Sequence, residues 1–475
     1  MSESTDHLDA EAVRAIHELV ERTAAEHHCP SISWRISVGD RDGDGVVLDG
    51  SFGDVEGRAP TSDTVYRIAS MTKSFTCAAI LALRDEGVFS LDDPIETHAP
   101  ELAVVRAPTS DAGPIRIRHL MTMSSGLATD DAWADRHLDI SIDDLDAALR
   151  VGTLFAAAPG TVWEYSNLGF GLLGRVVRRA TGRPVQEHVT ERLLEPLGLT
   201  RTTWVQPNHD NWARPFREQD GAFVPDPAPL LGDGEIAPMG GLWSTVDDLS
   251  RWARWLDDAT PARDGADVGP LSRASRREMQ EIQRYSEVAD LAGVGAPTGY
   301  GYGLRVRDDP TLGRVVAHSG GVPGYGTNMR WIAGRRISAV ALANVTYAPM
   351  ATLTQQMLIA LHDHGALPAA PPVTAPLVEA LGRQLVDLLA DWDDTRATEL
   401  FSDNVAPDES FDRRRQAAAE LVASFGGSLT INAVTARHQT SGSIEVAGTT
   451  GATATIELTV APIAPPRIQT YSIER

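Results

Sequence analysis

Of the 42 cationic residues in this 475-residue chain, one is a lysine and the rest are arginines. Arginine keeps its proton under every condition a folded protein meets, whereas a desolvated lysine gives it up. The one ammonium, Lys73, lies three residues after Ser70 in Ser70-Met71-Thr72-Lys73. The stretch from Ala69 to Glu86 carries apolar residues at helical spacing and stops at Gly87, which predicts a helix. Positions i and i+3 share a face about one turn apart, so the two side chains are neighbours. Ser70 falls in the first turn, where unpaired N–H groups and the helix dipole favour a developing negative charge. A serine hydroxyl is a weak nucleophile until a base takes its proton, and a buried amine beside it is such a base.

The rest of the chain is built around this helix. Residues 9–27 read as an amphipathic helix with Val13, Ile16, Leu19 and Val20 on one side. Strands are predicted at Ser31–Val38 and at 46–48, with the glycine- and aspartate-rich run 39–45 as the turn between them. From about 88 to 260 the pattern is helical, broken by Gly/Pro-rich loops. Strand character returns at 303–306, 314–318, 329–332 and 337–343, and a helix follows near 350–364. Strands at both ends with helices between them predict an α/β domain over 1–365: an antiparallel sheet flanked by helices, carrying an all-helical subdomain over roughly 88–260. The crevice between the two parts is the expected site. Residues 366–376 form a proline-rich linker by composition. Beyond it, 377–475 reads as a small α+β accessory domain, with helices at 377–403 and 409–425 and strands at 443–446 and 454–458. An NTF2- or cystatin-like module is the expectation there.

Composition bounds the function. A length of 475 residues suggests two or three domains, and 42% hydrophobic with 23% charged residues is a globular balance. The formal net charge of −23, uninterrupted by any basic run, repels phosphate backbones and anionic lipid, which argues against nucleic-acid and membrane partners. Two cysteines, Cys29 and Cys77, build no disulfide framework. The first residues, Met1 to His7, carry neither a basic segment nor an apolar run, so no signal peptide and a cytoplasmic location are expected.

Three further stretches carry chemistry: Tyr165-Ser166-Asn167 after the Pro159-Gly160 turn, His318-Ser319-Gly320-Gly321 closing a strand, and Arg118-His119-Leu120 running to Ser125-Gly126-Leu127. Ser70-x-x-Lys73, Tyr165-x-Asn167 and His318-Ser319-Gly320, in this order, resemble the serine β-lactamase-like hydrolases. Within them the class C β-lactamase, DD-peptidase and family VIII esterase group is nearest. Gly240-Gly241-Leu242-Trp243-Ser244-Thr245 adds to the likeness, which covers roughly residues 10–362. The resemblance implies a β-lactamase/DD-peptidase-like fold and an acyl-enzyme on Ser70, with Lys73 holding its proton and Tyr165 passing a proton to the leaving group. It further implies that Asn167 contacts the acyl side of the substrate and Lys73. The backbone N–H groups of Ser70 and Gly321 form the oxyanion hole, and His318, Ser319 and Gly320 line the substrate cleft. No metal and no cofactor are implied.

The third motif departs from the β-lactamase form, Lys-Thr-Gly, whose lysine helps hold a substrate carboxylate. A histidine neutral near pH 7 does this less well, which shifts the expectation from β-lactam hydrolysis towards esters and amides. A serine hydrolase of small-molecule esters is expected first, and D-aminopeptidase- or DD-carboxypeptidase-like amide cleavage next. Acyl transfer to a small-molecule acceptor, a non-turnover acylation sensor and a β-lactamase are the alternatives. A homo-oligomer through the C-terminal domain is the expected assembly. His119 is read as structural, Glu164 as pointing away from the site, and His27-His28-Cys29 as no metal site. Trp252 and Trp255 are read as packing, and Tyr300-Gly301-Tyr302-Gly303 as a stretch beside the cleft.

Overall fold

The computed structural model describes residues 9–39, 46–226, 234–291, 293–367 and 375–475. The residues around the N-terminus (1–8), most of the first turn (40–45) and the middle of the proline-rich linker (368–374) lie outside the described residues. The chain divides into two compact units, Met1–Ala369 and Ala370–Arg475.

The first unit is organised on an eight-stranded sheet. Its strands are β1 (Ser31–Val38), β2 (Val46–Gly53), β3 (Arg284–Leu291), β4 (Val294–Tyr300), β5 (Arg305–Asp309), β6 (Gly313–Val322), β7 (Tyr325–Ile332) and β8 (Ile337–Ala343), in the order β2-β1-β8-β7-β6-β5-β4-β3. Every pairing is antiparallel. The two ends of the unit meet where β1 joins β8, with Ile32 opposite Ala343 and Val38 opposite Ile337. The apolar run Ala339–Ala343 of β8 follows from burial on both faces: Ala339, Ala341 and Ala343 face one core, Val340 and Leu342 the other.

The first face is covered by α1 (Ala10–Glu26) and a later helix, Met350–Asp363, through Ile16, Val20, Leu353 and Met357. Asp9 caps α1 by accepting the Glu11 N–H. The second face carries α2 (Thr72–Asp85) and two further helices, α3 (Asn167–Thr181) and α4 (Val246–Asp257). Trp252 of α4 stacks on Phe75 of α2 at a centroid distance of 4.0 Å and donates its indole N–H to Ser74 Oγ at 3.0 Å. Such a pair adds about 0.5–1.5 kcal/mol beyond its buried area, and it ties α2 to α4.

Between α2 and β3 the chain is mainly helical. It also contains a short hairpin, Phe216–Gln219 with Ala222–Pro225, that the helical reading of 88–260 did not contain. Strands β3 and β4 likewise went unread. A bulge between Tyr285 and Glu287 breaks the period-two pattern of β3, and β4 holds Gly295, Pro297 and Gly299. Among the described residues, no helix is long and apolar enough to cross a membrane.

The second unit has its own core. The helices Pro376–Ala390, Asp394–Leu400 and Phe411–Ser424 precede a meander of Thr430–His438, Ser441–Ala447, Thr453–Val460 and Ile468–Glu474. Val378, Leu385 and Leu421 pack with Ile444, Ile456 and Leu458. The single helix expected over 377–403 is two, because Asp393 caps a new helix by accepting the Arg396 N–H at 2.8 Å.

Candidate active site

Ser70 stands in a tight turn, Ala69–Met71, that runs directly into α2. Ala69 has φ of +49°, a left-handed conformation that costs a residue with a Cβ about 1–2 kcal/mol. The turn is held from two sides. Ile68 donates its N–H to the Leu242 carbonyl at 3.0 Å, and Leu242 donates to Thr72 Oγ1 at 3.2 Å. From the sheet, Thr327 Oγ1 on β7 donates to the Ile68 carbonyl at 3.1 Å. A Cβ on Gly320 would lie 2.1 Å from that same carbonyl, so β6 approaches the Ser70 turn at a distance only glycine permits.

Lys73 is fully buried. Its Nζ donates to Ser70 Oγ at 3.0 Å, Asn167 Oδ1 at 2.7 Å and the Met239 carbonyl at 2.8 Å. Loss of hydration pulls its pKa down to about 7, against the opposing charges of Asp131, Asp135 and Asp130. The three oxygens are not equivalent. A backbone carbonyl and an amide oxygen only accept, whereas a hydroxyl also donates. When Lys73 loses its proton, two N–H bonds satisfy Asn167 and Met239, and the lone pair is left facing the Ser70 hydroxyl. The arrangement prepares Ser70 for deprotonation.

Asn167 opens α3. Its backbone N–H and that of Leu168 donate to the two carboxylate oxygens of Asp130, each at 2.7 Å, and its Nδ2 donates to Asp131 Oδ1 at 2.7 Å. Ser166 caps the helix by accepting the Gly169 N–H. The far half of α3 is tied down by the buried Arg175, which pairs with Asp146 and Glu235, each at 2.9 Å. Tyr165 places its ring centroid 4.9 Å from Lys73 Nζ. Burial raises its phenol well above the usual tyrosine range, with a hydrogen bond to Ser70 and the charge of Arg305 working the other way. At neutral pH this phenol holds its proton.

On β6, Gly321 lies under the Tyr347 ring: a Cβ there would come within 2.6 Å of Tyr347 Cδ1. Ser319 is exposed and accepts from Asn328 Nδ2 at 2.9 Å. His318 is different. It is 3% exposed, its Nδ1 lies 2.6 Å from the Ser319 carbonyl and its Nε2 lies 2.8 Å from the Tyr300 hydroxyl. A carbonyl only accepts, so Nδ1 carries the proton and Nε2 accepts from Tyr300. Burial and the nearby Lys73 pull its pKa down to about 3. Both ring nitrogens are spent inside the protein, so the carboxylate-steering task considered for His318 finds no free donor there. Tyr300, expected beside the cleft, lies beneath it as the partner of His318.

The sequence-predicted residues Ser70, Lys73, Tyr165 and Asn167 are brought together, with β6 against the Ser70 turn. Glu164 turns to Thr129, whose Oγ1 it accepts at 2.5 Å. His119 accepts the Arg116 N–H at 3.2 Å beneath Gly160 and is structural. Sequence reasoning missed Asp130, Asp131, the Met239 carbonyl, Tyr347 and Arg305. Arg305, on β5, stacks over Trp163 at 4.8 Å and has no carboxylate partner among the described residues.

Comparisons with known proteins agree with this geometry. Residues 16–363 match the beta-lactamase family. The chain is 31% identical over 351 residues to esterase EstB of Burkholderia gladioli, covering 65% of this chain and 83% of the esterase. It is 29% identical over 323 residues to the D-alanyl-D-alanine-carboxypeptidase/endopeptidase AmpH of Escherichia coli K12, covering 64% and 79%. Among solved structures, the octameric penicillin-binding protein homologue from Pyrococcus abyssi superposes with a TM-score of 0.62 at 23% identity, over 97% of this chain and 95% of that one. A D-stereospecific amidohydrolase from Streptomyces sp. gives 0.58 at 24% identity, over 74% and 98%. With the match spanning most of the first unit and the Ser70–Lys73 pair in place, the chain belongs to the beta-lactamase family and is a serine hydrolase.

Proposed function

We propose that this chain hydrolyses small carboxylic esters through an acyl-enzyme on Ser70. The observation that carries the reading is the buried Lys73 amine, 3.0 Å from Ser70 Oγ, whose other two oxygen neighbours only accept. In acylation Ser70 Oγ bonds to the ester carbonyl carbon as its proton passes to Lys73 Nζ, and the carbonyl electron pair moves onto oxygen. The family likeness assigns that oxygen to the N–H groups of Ser70 and Gly321, donors worth about 3–4 kcal/mol each in comparable sites. Collapse breaks the C–O bond to the leaving alkoxide, which takes a proton from Tyr165, and Lys73 returns one to Tyr165. Water then attacks the acyl carbon, gives its proton back through Tyr165 and Lys73, and Ser70 departs with its hydroxyl restored. The kinship to an esterase and the absence of a cation in the third motif support esters over β-lactams. Steady-state hydrolysis of short nitrophenyl esters tests it: Ser70→Ala abolishes turnover, and turnover that survives this change overturns the reading.

A second substrate class is favoured by Arg305. A half-buried guanidinium beside the cleft, unpaired with any carboxylate among the described residues, suits the free carboxylate of a D-alanyl peptide amide. Arg305→Ala then raises KM for such amides about tenfold or more and leaves neutral esters within about twofold; equal effects on both contradict the assignment.

The C-terminal unit packs the helices Pro376–Ala390 and Phe411–Ser424 with a four-stranded meander, which supports an NTF2- or cystatin-like module. The octameric assembly named for the Pyrococcus abyssi relative supports a homo-oligomer.

A further inference from the structure

The Lys73 lone pair faces Ser70 only while Asn167 presents its oxygen to the amine. A side-chain amide is nearly symmetric in shape, and turning it over would bring Nδ2 to Lys73 instead. The neutral amine would then accept from Asn167 rather than from Ser70, and the base would be lost to the nucleophile. Nothing on Lys73 itself forbids this, because an amine both donates and accepts. What forbids it lies on the other side of the amide. Asp131 Oδ1 accepts from Asn167 Nδ2 at 2.7 Å, and an ionised carboxylate only accepts. The backbone of Asn167 is pinned separately by Asp130, which takes the N–H groups of Asn167 and Leu168.

We infer that Asp131 is a positioning residue of the hydrolytic site: it locks the amide of Asn167 with its oxygen towards Lys73 and so reserves the Lys73 lone pair for Ser70. The inference rests on the acyl-enzyme reading above. Asp131 is exposed towards solvent and packs into no core, so its removal leaves the fold in place. Its sequence signal is silent because the bond to Asn167 spans 36 residues.

Charge and orientation separate in three substitutions. Asp131→Glu keeps a group that only accepts, whereas Asp131→Asn, whose amide can turn over with that of Asn167, and Asp131→Ala both lose the lock as well as the charge. Lys73 is faced by the carboxylates of Asp130, Asp131 and Asp135, by Tyr165 and Cys77, and by neutral His318. Removing one carboxylate destabilises the ammonium, so Asp131→Asn and Asp131→Ala move the acidic limb of the rate profile to lower pH. Both also lower the plateau, which Asp131→Glu keeps.

The test is the rate of Ser70 labelling by a fluorophosphonate between pH 5 and 9, followed by intact mass, with thermal melts beside it. Wild-type labels on Ser70. Asp131→Ala labels about tenfold or more slowly on the plateau, with an unchanged melt, Asp131→Asn is slowed as well, and Asp131→Glu labels within about threefold of wild type. A plateau for Asp131→Ala within twofold of wild type overturns the positioning role, as does an Asp131→Glu plateau as low as that of Asp131→Ala. No labelling of wild type, or equal labelling of Ser70→Ala, overturns the acyl-enzyme reading instead, and the positioning role falls with it.

Discussion

Lys73 is held where its charged form is costly. It is buried, and its pKa of about 7 follows from lost hydration that three nearby carboxylates only partly offset. On the proposed route the neutral amine is the base, so the acylation rate rises with pH through about 7 as the proton leaves, and levels off above. A rate flat from pH 5 to 9 contradicts this. Lys73→Arg keeps the charge but cannot deprotonate. It lowers kcat/KM for a nitrophenyl ester by about 10²–10⁴-fold, the usual worth of a general base, and an activity within tenfold of wild type removes Lys73 from that role. The four residues closest to this chemistry were legible in the sequence because their motifs are local: Ser70 and Lys73 share one helical turn, Tyr165 and Asn167 one helix start. Asp131 was not, since its partner lies on another element, and the burial of His318 depends on Tyr300, a strand away.

The elements of the sheet are placed so that β6 presses on the Ser70 turn, and Gly320 is the point of closest approach. A Cβ there meets the Ile68 carbonyl at 2.1 Å and Thr327 Oγ1 at 2.3 Å, and the nearer of these is backbone that cannot rotate away. Gly320→Ala therefore destabilises the protein by about 1–3 kcal/mol through overpacking, and displaces Ser70 from its hydrogen bond to Lys73. Denaturant unfolding and ester turnover fall together in this variant; a stable and fully active Gly320→Ala protein means that the strand and the turn are not in this contact. The strands flanking the site were readable from their apolar runs, β1 and β8 to the residue. The outer pair β3 and β4 was hidden by a bulge and by Gly295, Pro297 and Gly299, which carry none of the usual strand signal.

At the scale of the whole chain, a sheet assembled from both ends of the first unit carries helices on both faces and holds the candidate active site at one corner. There α2, the start of α3, the Met239 turn and β6 each supply one wall. The architecture was legible because strand-like segments bracket a helical middle. The substrate was not, because the cleft is finished by side chains such as Tyr347 and Arg305, whose positions depend on packing between distant segments. An acyl-enzyme on Ser70 with turnover is the central claim, and it separates a hydrolase from a sensor that acylates once or a transferase waiting for an acceptor. Time-resolved intact mass on the full-length protein mixed with a short nitrophenyl ester tests it most directly. The account predicts an adduct of one acyl group on Ser70 that appears, decays as product accumulates, and is absent from Ser70→Ala. An adduct that persists without turnover, or one that forms equally on Ser70→Ala, contradicts it.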